Sequence, residues 1–299
     1  MKIGFIGTGL MGTPMIKNLL KSKHQISIFN RTISKAKKLK KYGAYLSYKI
    51  EELAKDKEII ITMLTDDKAV NDIIRSKIFL NNVCKKTTVI DMSSTKPSTA
   101  LDNYKKLKKR GVYFLDAPVS GGTKGAESAS LAIMVGGEKK IYEKNLKVLK
   151  ILGIPNYVGK PSSGQAAKLA NQIIVGITIG AVSEAIILSK KLGLRPINVL
   201  KALKGGWADS KILQTHGLRM IKEDFKARGK VASQLKDMEN ILNTAKMNKI
   251  NLPLSMIIRN LYKQLSKKGY DNLDHSYLYK EIKNLSLIHI SEPTRRRGI

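Results

Sequence analysis

The sequence predicts an α/β fold: a doubly wound sheet domain followed by an all-α domain, with a long buried helix joining the two. Three observations carry the prediction. A short apolar run, Lys2 to Phe5, ends in the turn Gly7-Thr8-Gly9-Leu10-Met11-Gly12, after which Met15, Leu19 and Leu20 recur at helical spacing. Short apolar runs and amphipathic segments then alternate to about residue 160, the pattern of parallel strands with helical crossovers. The stretch Gly164 to Gly193 carries no charge between Lys168 and Glu184 and is apolar on every side of a helical wheel, so it reads as a helix buried all round.

Taken in order, a strand that ends in GxGxxG and opens a helix is the context in which that motif has meaning. Its glycines permit a tight turn and let backbone N–H groups approach a pyrophosphate at the helix N-terminus. Gly7, Gly9, Leu10, Met11 and Gly12 are therefore candidate cofactor residues, and residues 1–162 read as a Rossmann-type domain. The next strand, Gln25 to Phe29, ends at Asn30-Arg31-Thr32. An acid there would hold the ribose 2′-hydroxyl of NAD; this chain has none, and Asn30, Arg31 and Thr32 suit a 2′-phosphate, with Arg31 able to stack on the adenine. NADP is expected, with NAD the alternative.

An amphipathic segment at Ser34 to Tyr42, a buried strand at Glu58 to Met63, a helix after Asp66 and a strand at Thr87 to Ile90 continue the alternation. Ligands bind at the carboxyl ends of such strands, which places Met63, Leu64 and Asp66 along the cofactor groove and Asp91-Met92-Ser93-Ser94-Thr95 in the next loop. Pro97 marks a helix start. After the strand Tyr113 to Leu115 comes Asp116-Ala117-Pro118-Val119-Ser120-Gly121-Gly122. The Ser120 hydroxyl and the bare N–H groups of Gly121 and Gly122 form either a carboxylate-binding set or a flexible turn, and spacing alone leaves both open. Leu131 to Val135 and Gly153 to Val158 close the sheet.

Residues 163–284 read as the helical domain. At the first turn of its long helix, Lys168, Asn171 and Gln172 lie at i, i+3, i+4 and project from one face. Pro196 opens a further helix, Gly205-Gly206-Trp207 breaks the chain between helices, and Lys236 to Met247 and Leu254 to Leu265 are helical. His216 reads as structural and His275, in Asp274-His275-Ser276, as part of a helix cap. The segment 285–299, LSLIHISEPTRRRGI, looks like a translated sequencing adapter, a non-native tail that leaves the natural C-terminal residues missing.

With 299 residues and 42% apolar content the chain is long enough for two domains. A single cysteine, Cys84, excludes an internal disulfide, and four histidines offer no cluster for a metal, so none is expected. The N-terminus enters a strand at once, leaving no room for an export signal; the expected location is the cytoplasm. The charge-free part of the long helix is short for a bilayer, so no membrane span is expected. The net charge of +32 would suggest nucleic acid, but 45 of the 55 basic residues are Lys, scattered and without interleaved aromatics. That is the composition of a solvated surface, and no nucleic-acid partner is expected. A basic nucleic-acid binder is the alternative that charge alone would favour, its signature steeply salt-dependent retention.

Taken together, GFIGTGLMGTPMIKNL at the start, DAPVSGG at 116–122, IMVGG at 133–137, GQAAKLANQ at 164–172 and Lys236-Asp237 resemble the β-hydroxyacid dehydrogenase family over residues 1 to about 284. That family includes 3-hydroxyisobutyrate dehydrogenases, tartronate semialdehyde reductases and glyoxylate/succinic semialdehyde reductases. The resemblance implies NADP(H)-dependent interconversion of a small semialdehyde acid and its hydroxy acid by a homodimer or homotetramer. It implies Lys168 as catalytic acid/base, Ser120, Gly121 and Gly122 on the substrate carboxylate, Asn171 beside the lysine, and Ser94 and Lys236 approaching the cofactor. Family members commonly carry Asn four residues after the lysine, where this chain has Gln172, so the orienting role falls to Asn171 or Gln172. The run from His216 to Lys222 and the GGWADS stretch look most like the tartronate semialdehyde (2-hydroxy-3-oxopropionate) reductases, whereas Asn30-Arg31-Thr32 is closer to the glyoxylate/succinic semialdehyde reductases. A non-catalytic scaffold of the same fold would be expected only if the lysine were lost.

Overall fold

The chain runs β1 (Lys2–Ile6), α1 (Gly12–Lys21), β2 (Gln25–Phe29), α2 (Ile33–Lys37), β3 (Tyr45–Leu46), α3 (Ile50–Ala54), β4 (Ile59–Thr62), α4 (Asp67–Ile74), α5 (Lys77–Asn82), β5 (Thr88–Asp91), α6 (Pro97–Lys108), β6 (Tyr113–Asp116), β7 (Val119–Ser120), α7 (Gly122–Glu127), β8 (Leu131–Gly137), α8 (Lys139–Leu152) and β9 (Gly153–Gly159). After β9 the described residues form helices alone: α9 (Ser163–Lys191), α10 (Pro196–Leu203), α11 (Lys211–Lys222), α12 (Val231–Met247), α13 (Pro253–Lys267) and α14 (Leu278–Ile288). These come from a computed structural model that describes residues 1–288. Of the segment expected to be a non-native tail, 285–288 continue α14 and the remainder lies outside the described residues.

The strands line up as β3-β2-β1-β4-β5-β6-β8-β7, with β9 on β8. From β3 to β6 every pairing is parallel. Beyond β6 the sheet turns over, because β8 returns antiparallel to both β6 and β7, while β9 runs parallel to β8. Strands β4 and β5 are buried along their whole length, as strands covered on both faces must be. Their period of two sorts them between two cores: Ile59, Ile61, Ile90 and Leu115 join α1 and α8 on one face, whereas Ile60, Val89 and Phe114 join α3 to α6 on the other. In this order the connections lead opposite ways from β1 and β4, so a crevice opens where their carboxyl ends part.

The described chain divides into two compact units, Met1–Asn171 and the part from Gln172 onward, so the dividing line falls inside α9. Within the second unit, small residues let helices approach closely. A Cβ on Gly176 would lie 3.0 Å from the Met238 sulfur, and one on Gly180 2.7 Å from Ile258, so the GITIG run seats α9 on α12 and α13. Tyr262, fully buried, donates from its hydroxyl to the His275 carbonyl at 2.9 Å. The expectation that α9 is buried on all sides is corrected here. Ile174 is 66% exposed and Leu188 60% exposed, with Ala170, Ala181 and Ala185 exposed on the same side. An apolar wheel reports the composition of a helix, not which of its sides are buried.

Candidate active site

The glycine turn after β1 is built by close approach. Gly7 takes φ +105, and a side chain on it would run into the Met63 carbonyl and lie 3.2 Å from Leu64; one on Gly12 would run into the Gly7 carbonyl. Over Gly9, by contrast, an added Cβ meets nothing within 4 Å. The turn is thus packed from below and open above, with Leu10 exposed beside it and the Thr8 hydroxyl buried without a partner among the described residues. Gly7 N and Thr8 N are spent on Phe29 O and the Asn30 side chain, so what suits an anionic phosphate here is the N-terminus of α1 behind the open Gly9. The turn from Gly7 to Gly12 therefore fits the phosphates of a dinucleotide.

Asn30 ties this turn to the end of β2. Its side-chain oxygen accepts from Thr8 N at 3.1 Å, and its amide donates to the Thr32 carbonyl at 2.9 Å. The amide is thus engaged by the two loops, and Arg31 and Thr32 stand exposed next to it. On the other side, Leu64 N donates to the Ser93 hydroxyl at 2.9 Å, joining the β4 end to the loop that carries half-buried Ser94. Asp66 caps α4, accepting from Ala69 N at 2.8 Å.

The carboxyl ends of β5 and β6 carry two buried acids in register, Asp91 and Asp116. Burial pushes the Asp91 carboxyl up to about 6, against hydrogen bonds from Ser93 and Thr62 that pull it down. Burial likewise pushes Asp116 up to about 6; the backbone N–H groups of Gln165 and Ser162 offset this, and the charge of Asp91 adds to it. Asp116 accepts from Ser162 N at 2.8 Å and Gln165 N at 2.9 Å, so a strand-borne carboxylate caps the first turn of α9. The Gln165 side chain, fully buried, donates to the Ser93 carbonyl at 2.8 Å and accepts from Thr95 N at 3.0 Å.

One turn further along α9 is Lys168. Only 8% of it is exposed, and its Nζ donates to the Val119 carbonyl at 2.8 Å. Val119 immediately precedes Ser120, Gly121 and Gly122, whose two glycines take φ +138 and +61, a left-handed turn that L side chains resist. The first unit therefore brings together Lys168, Asn171, the Ser120–Gly122 turn and the Ser94 loop. The second gathers Gln172 and Lys236 about Asp237: the Gln172 amide donates to Asp237 at 2.5 Å, and Lys236 pairs with the same carboxylate at 3.1 Å.

Sequence reasoning assigned no role to Asp116, Gln165 or Asp91. The available signal was an acid at the end of two successive buried strands, where apolar residues are the rule. It also expected no imidazole cluster, and that expectation is corrected. His216 and His275, 59 positions apart, meet with Nε2 atoms 2.8 Å from each other, and Asp274 lies close by. Burial first, then the charges of His275 and Arg219, hold His216 down to about 3. Asp274 already accepts from Arg219, from the N–H groups of Arg228, Gly229 and Ser276, and from the Ser276 hydroxyl. It is Asp274 that caps the following turn, where the sequence suggested His275.

Comparison with known proteins decides what this arrangement belongs to. The family described as NAD binding domain of 6-phosphogluconate dehydrogenase matches residues 2–160, and the family described as NAD-binding of NADP-dependent 3-hydroxyisobutyrate dehydrogenase matches residues 162–282. The chain belongs to the 3-hydroxyisobutyrate dehydrogenase family. It is an NAD(P)-dependent oxidoreductase of the β-hydroxyacid dehydrogenase class. It is similar to the 2-hydroxy-3-oxopropionate reductase of Escherichia coli, at 38% identity over 94% of this chain and 97% of that one. It is also similar to the glyoxylate/succinic semialdehyde reductase 1 of Arabidopsis thaliana, at 30% identity over 95% and 99%. Among solved structures of the family, the 3-hydroxyisobutyrate dehydrogenase of Mycobacterium tuberculosis with L-serine superposes with a TM-score of 0.86 at 26% identity, covering 94% of this chain and 99% of that one.

Proposed function

We propose that this family member reduces a small semialdehyde acid to its hydroxy acid with NADPH, and that 2-hydroxy-3-oxopropionate, giving glycerate, is the substrate pair. Residues 1–162 form the cofactor-binding domain in this reading and residues 163–284 the helical domain. The observation that carries it is an ammonium group, Lys168 Nζ, buried within the chain and hydrogen-bonded at the base of the Ser120–Gly121–Gly122 turn.

When bound, NADPH supplies a hydride to the carbonyl carbon. The chain supplies the rest. The Ser120 hydroxyl and the N–H groups of Gly121 and Gly122 hold the substrate carboxylate, and Asn171 or Gln172 orients the substrate hydroxyl or carbonyl. As the carbonyl π pair moves onto oxygen, Lys168 delivers a proton to that oxygen and is left as a neutral amine, which regains its proton from solvent. Met63, Leu64 and Ser94 complete the cofactor's surroundings within the first unit. NADP is preferred to NAD because no acid stands at Asn30-Arg31-Thr32 and the exposed Arg31 meets a 2′-phosphate.

The similarity to a 2-hydroxy-3-oxopropionate reductase over nearly the full length of both chains supports the substrate. A second reading, a glyoxylate/succinic semialdehyde reductase, is favoured by the Asn30-Arg31-Thr32 loop. The exposed apolar side of α9 supports a homodimer or homotetramer, and the cytoplasm is the proposed location. The test is a panel of 2-hydroxy-3-oxopropionate, glyoxylate, succinic semialdehyde and methylmalonate semialdehyde, followed at the nicotinamide absorbance with NADPH and NADH in parallel. Lys168→Ala is expected to abolish turnover with NADPH binding kept; turnover retained by that variant refutes the chemistry.

A further inference from the structure

We propose that Asp116 and Gln165 are positioning residues that set where the Lys168 ammonium stands relative to the Ser94 loop. The proposal rests on the reading of Lys168 as proton donor.

A helix start leaves its first N–H groups without intrahelical acceptors, and a residue at the cap usually supplies one. Here the first turn of α9 is capped from the sheet instead. The two oxygens of Asp116 divide between Ser162 N and Gln165 N, so the carboxylate fixes both the position of the turn and its rotation about the helix axis. Ser162 itself takes φ +81, a conformation non-glycine residues resist, which persists where surrounding bonds dictate it. The contact leaves no slack. A Cβ on Gly136 would stand 2.6 Å from Asp116 Oδ1 and 2.6 Å from Gly164 N, and one on Gly164 would run into the Met134 and Asp116 carbonyls. Only glycine at both positions lets the carboxylate, β8 and the helix start share this space.

Gln165 extends the grip to the neighbouring loop. One amide arm donates to the Ser93 carbonyl and the other accepts from Thr95 N, bracketing Ser94 on both sides. Lys168, three residues on, lies on the same side of the helix and reaches Val119 O. The ends of β5 and β6 and the start of β7 are thus tied to one helical turn, and the proton donor takes its place from that turn. Displacing a catalytic group by about 1 Å costs on the order of 100-fold in rate, so a loosened turn registers in turnover before it registers in binding.

The experiment compares the full-length wild type with Gln165→Glu, Gln165→Met, Asp116→Asn and Lys168→Ala, using 2-hydroxy-3-oxopropionate as substrate. The glutamate variant keeps the acceptor arm to Thr95 but turns an unprotonated oxygen toward the Ser93 carbonyl; the methionine variant keeps the volume and removes both arms. The Gln165 variants are expected to lose about 10- to 100-fold in kcat. Their NADPH dissociation constant, read by fluorescence titration, is expected to stay within about threefold, and the solvent deuterium isotope effect on kcat to rise as proton delivery slows. A residue that only holds the fold together would shift cofactor affinity, melting temperature and kcat together, and that pattern overturns the proposal. Wild-type kcat in the Gln165 variants alongside an inactive Lys168→Ala overturns the positioning role alone, whereas turnover retained in Lys168→Ala overturns the reading of the lysine on which it rests. Should Asp116→Asn fail to fold, the Gln165 pair carries the test.

Discussion

Asp91→Asn should stabilise the protein at alkaline pH and do nothing at acid pH. Asp91 is fully buried, and its Oδ2 has no hydrogen-bond partner among the described residues, whereas Oδ1 accepts from the Thr62 hydroxyl and Ser93 N. Its carboxyl is raised from 3.8 to about 6, burial being the largest cause. The folded state therefore holds this proton more tightly than the unfolded chain does. Between those two values stability falls as pH rises, and above about pH 6 the loss is complete. A displacement of about 2 pH units at about 1.4 kcal/mol each comes to about 3 kcal/mol. Asparagine has nearly the same shape, keeps an oxygen for Thr62 and Ser93, and never ionises. The difference in unfolding free energy between variant and wild type, measured by urea denaturation from pH 4 to 8, should climb from near zero to about 3 kcal/mol in favour of the variant. Removing the Asp91 charge also eases the ionisation of Asp116, which that charge opposes. A difference that is flat with pH, or a variant less stable than wild type at pH 8, would show that Asp91 is ionised at little cost and refute the reasoning.

Other expectations follow from single contacts. Gly12→Ala drives a methyl group into the Gly7 carbonyl, so the glycine turn must open; NADPH affinity should fall at least tenfold by fluorescence titration, with a lowered melting temperature. Arg31→Glu replaces the proposed 2′-phosphate partner with a ribose-binding acid, and the ratio of kcat/KM for NADPH over NADH should drop about 10-fold or more. Tyr262→Phe removes the hydroxyl that donates to the His275 carbonyl in a buried position; about 1 to 2 kcal/mol should be lost in denaturant melts, with cofactor binding unchanged.

What the sequence made legible was whatever steric rules impose on residue type. The turn at Gly7 to Gly12 needs glycine where a Cβ would strike backbone, and Pro97 and Pro196 sit at helix starts where a missing N–H costs nothing. Strand β2 matches its expected span, Gln25 to Phe29, because turn residues bound it on both sides. Helices α3, α5, α7 and α8 were passed over: three are only five or six residues long, and α8, rich in Lys, has a polar face that dilutes its apolar spacing. The return of β8 antiparallel to β6 was hidden because β7 is two residues long and leaves no periodicity to read. Of the candidate site, Lys168 and the Ser-Gly-Gly turn stood out as motifs, and the structure sets the Lys168 Nζ on the Val119 carbonyl beside that turn. Asp116 and Gln165 did not, because their partners are backbone groups of distant segments, which look alike in every sequence. The His216–His275 pair was invisible for the same reason of distance. The exposed side of α9 was misread because its residues, Ile174 and Leu188 among them, are as apolar as those of its buried side.

The crossing of Gly136 and Gly164 bears on how far this scaffold could be redesigned. Two strands' worth of backbone and a carboxylate converge there with no room for even one methyl group, so the lysine's address cannot be tuned by substitution at its own root. Attempts to broaden or switch the carbonyl compounds accepted should leave that junction untouched and diversify Ser120 and Asn171, the proposed substrate contacts, whose half-buried side chains can change shape without having to move the main chain.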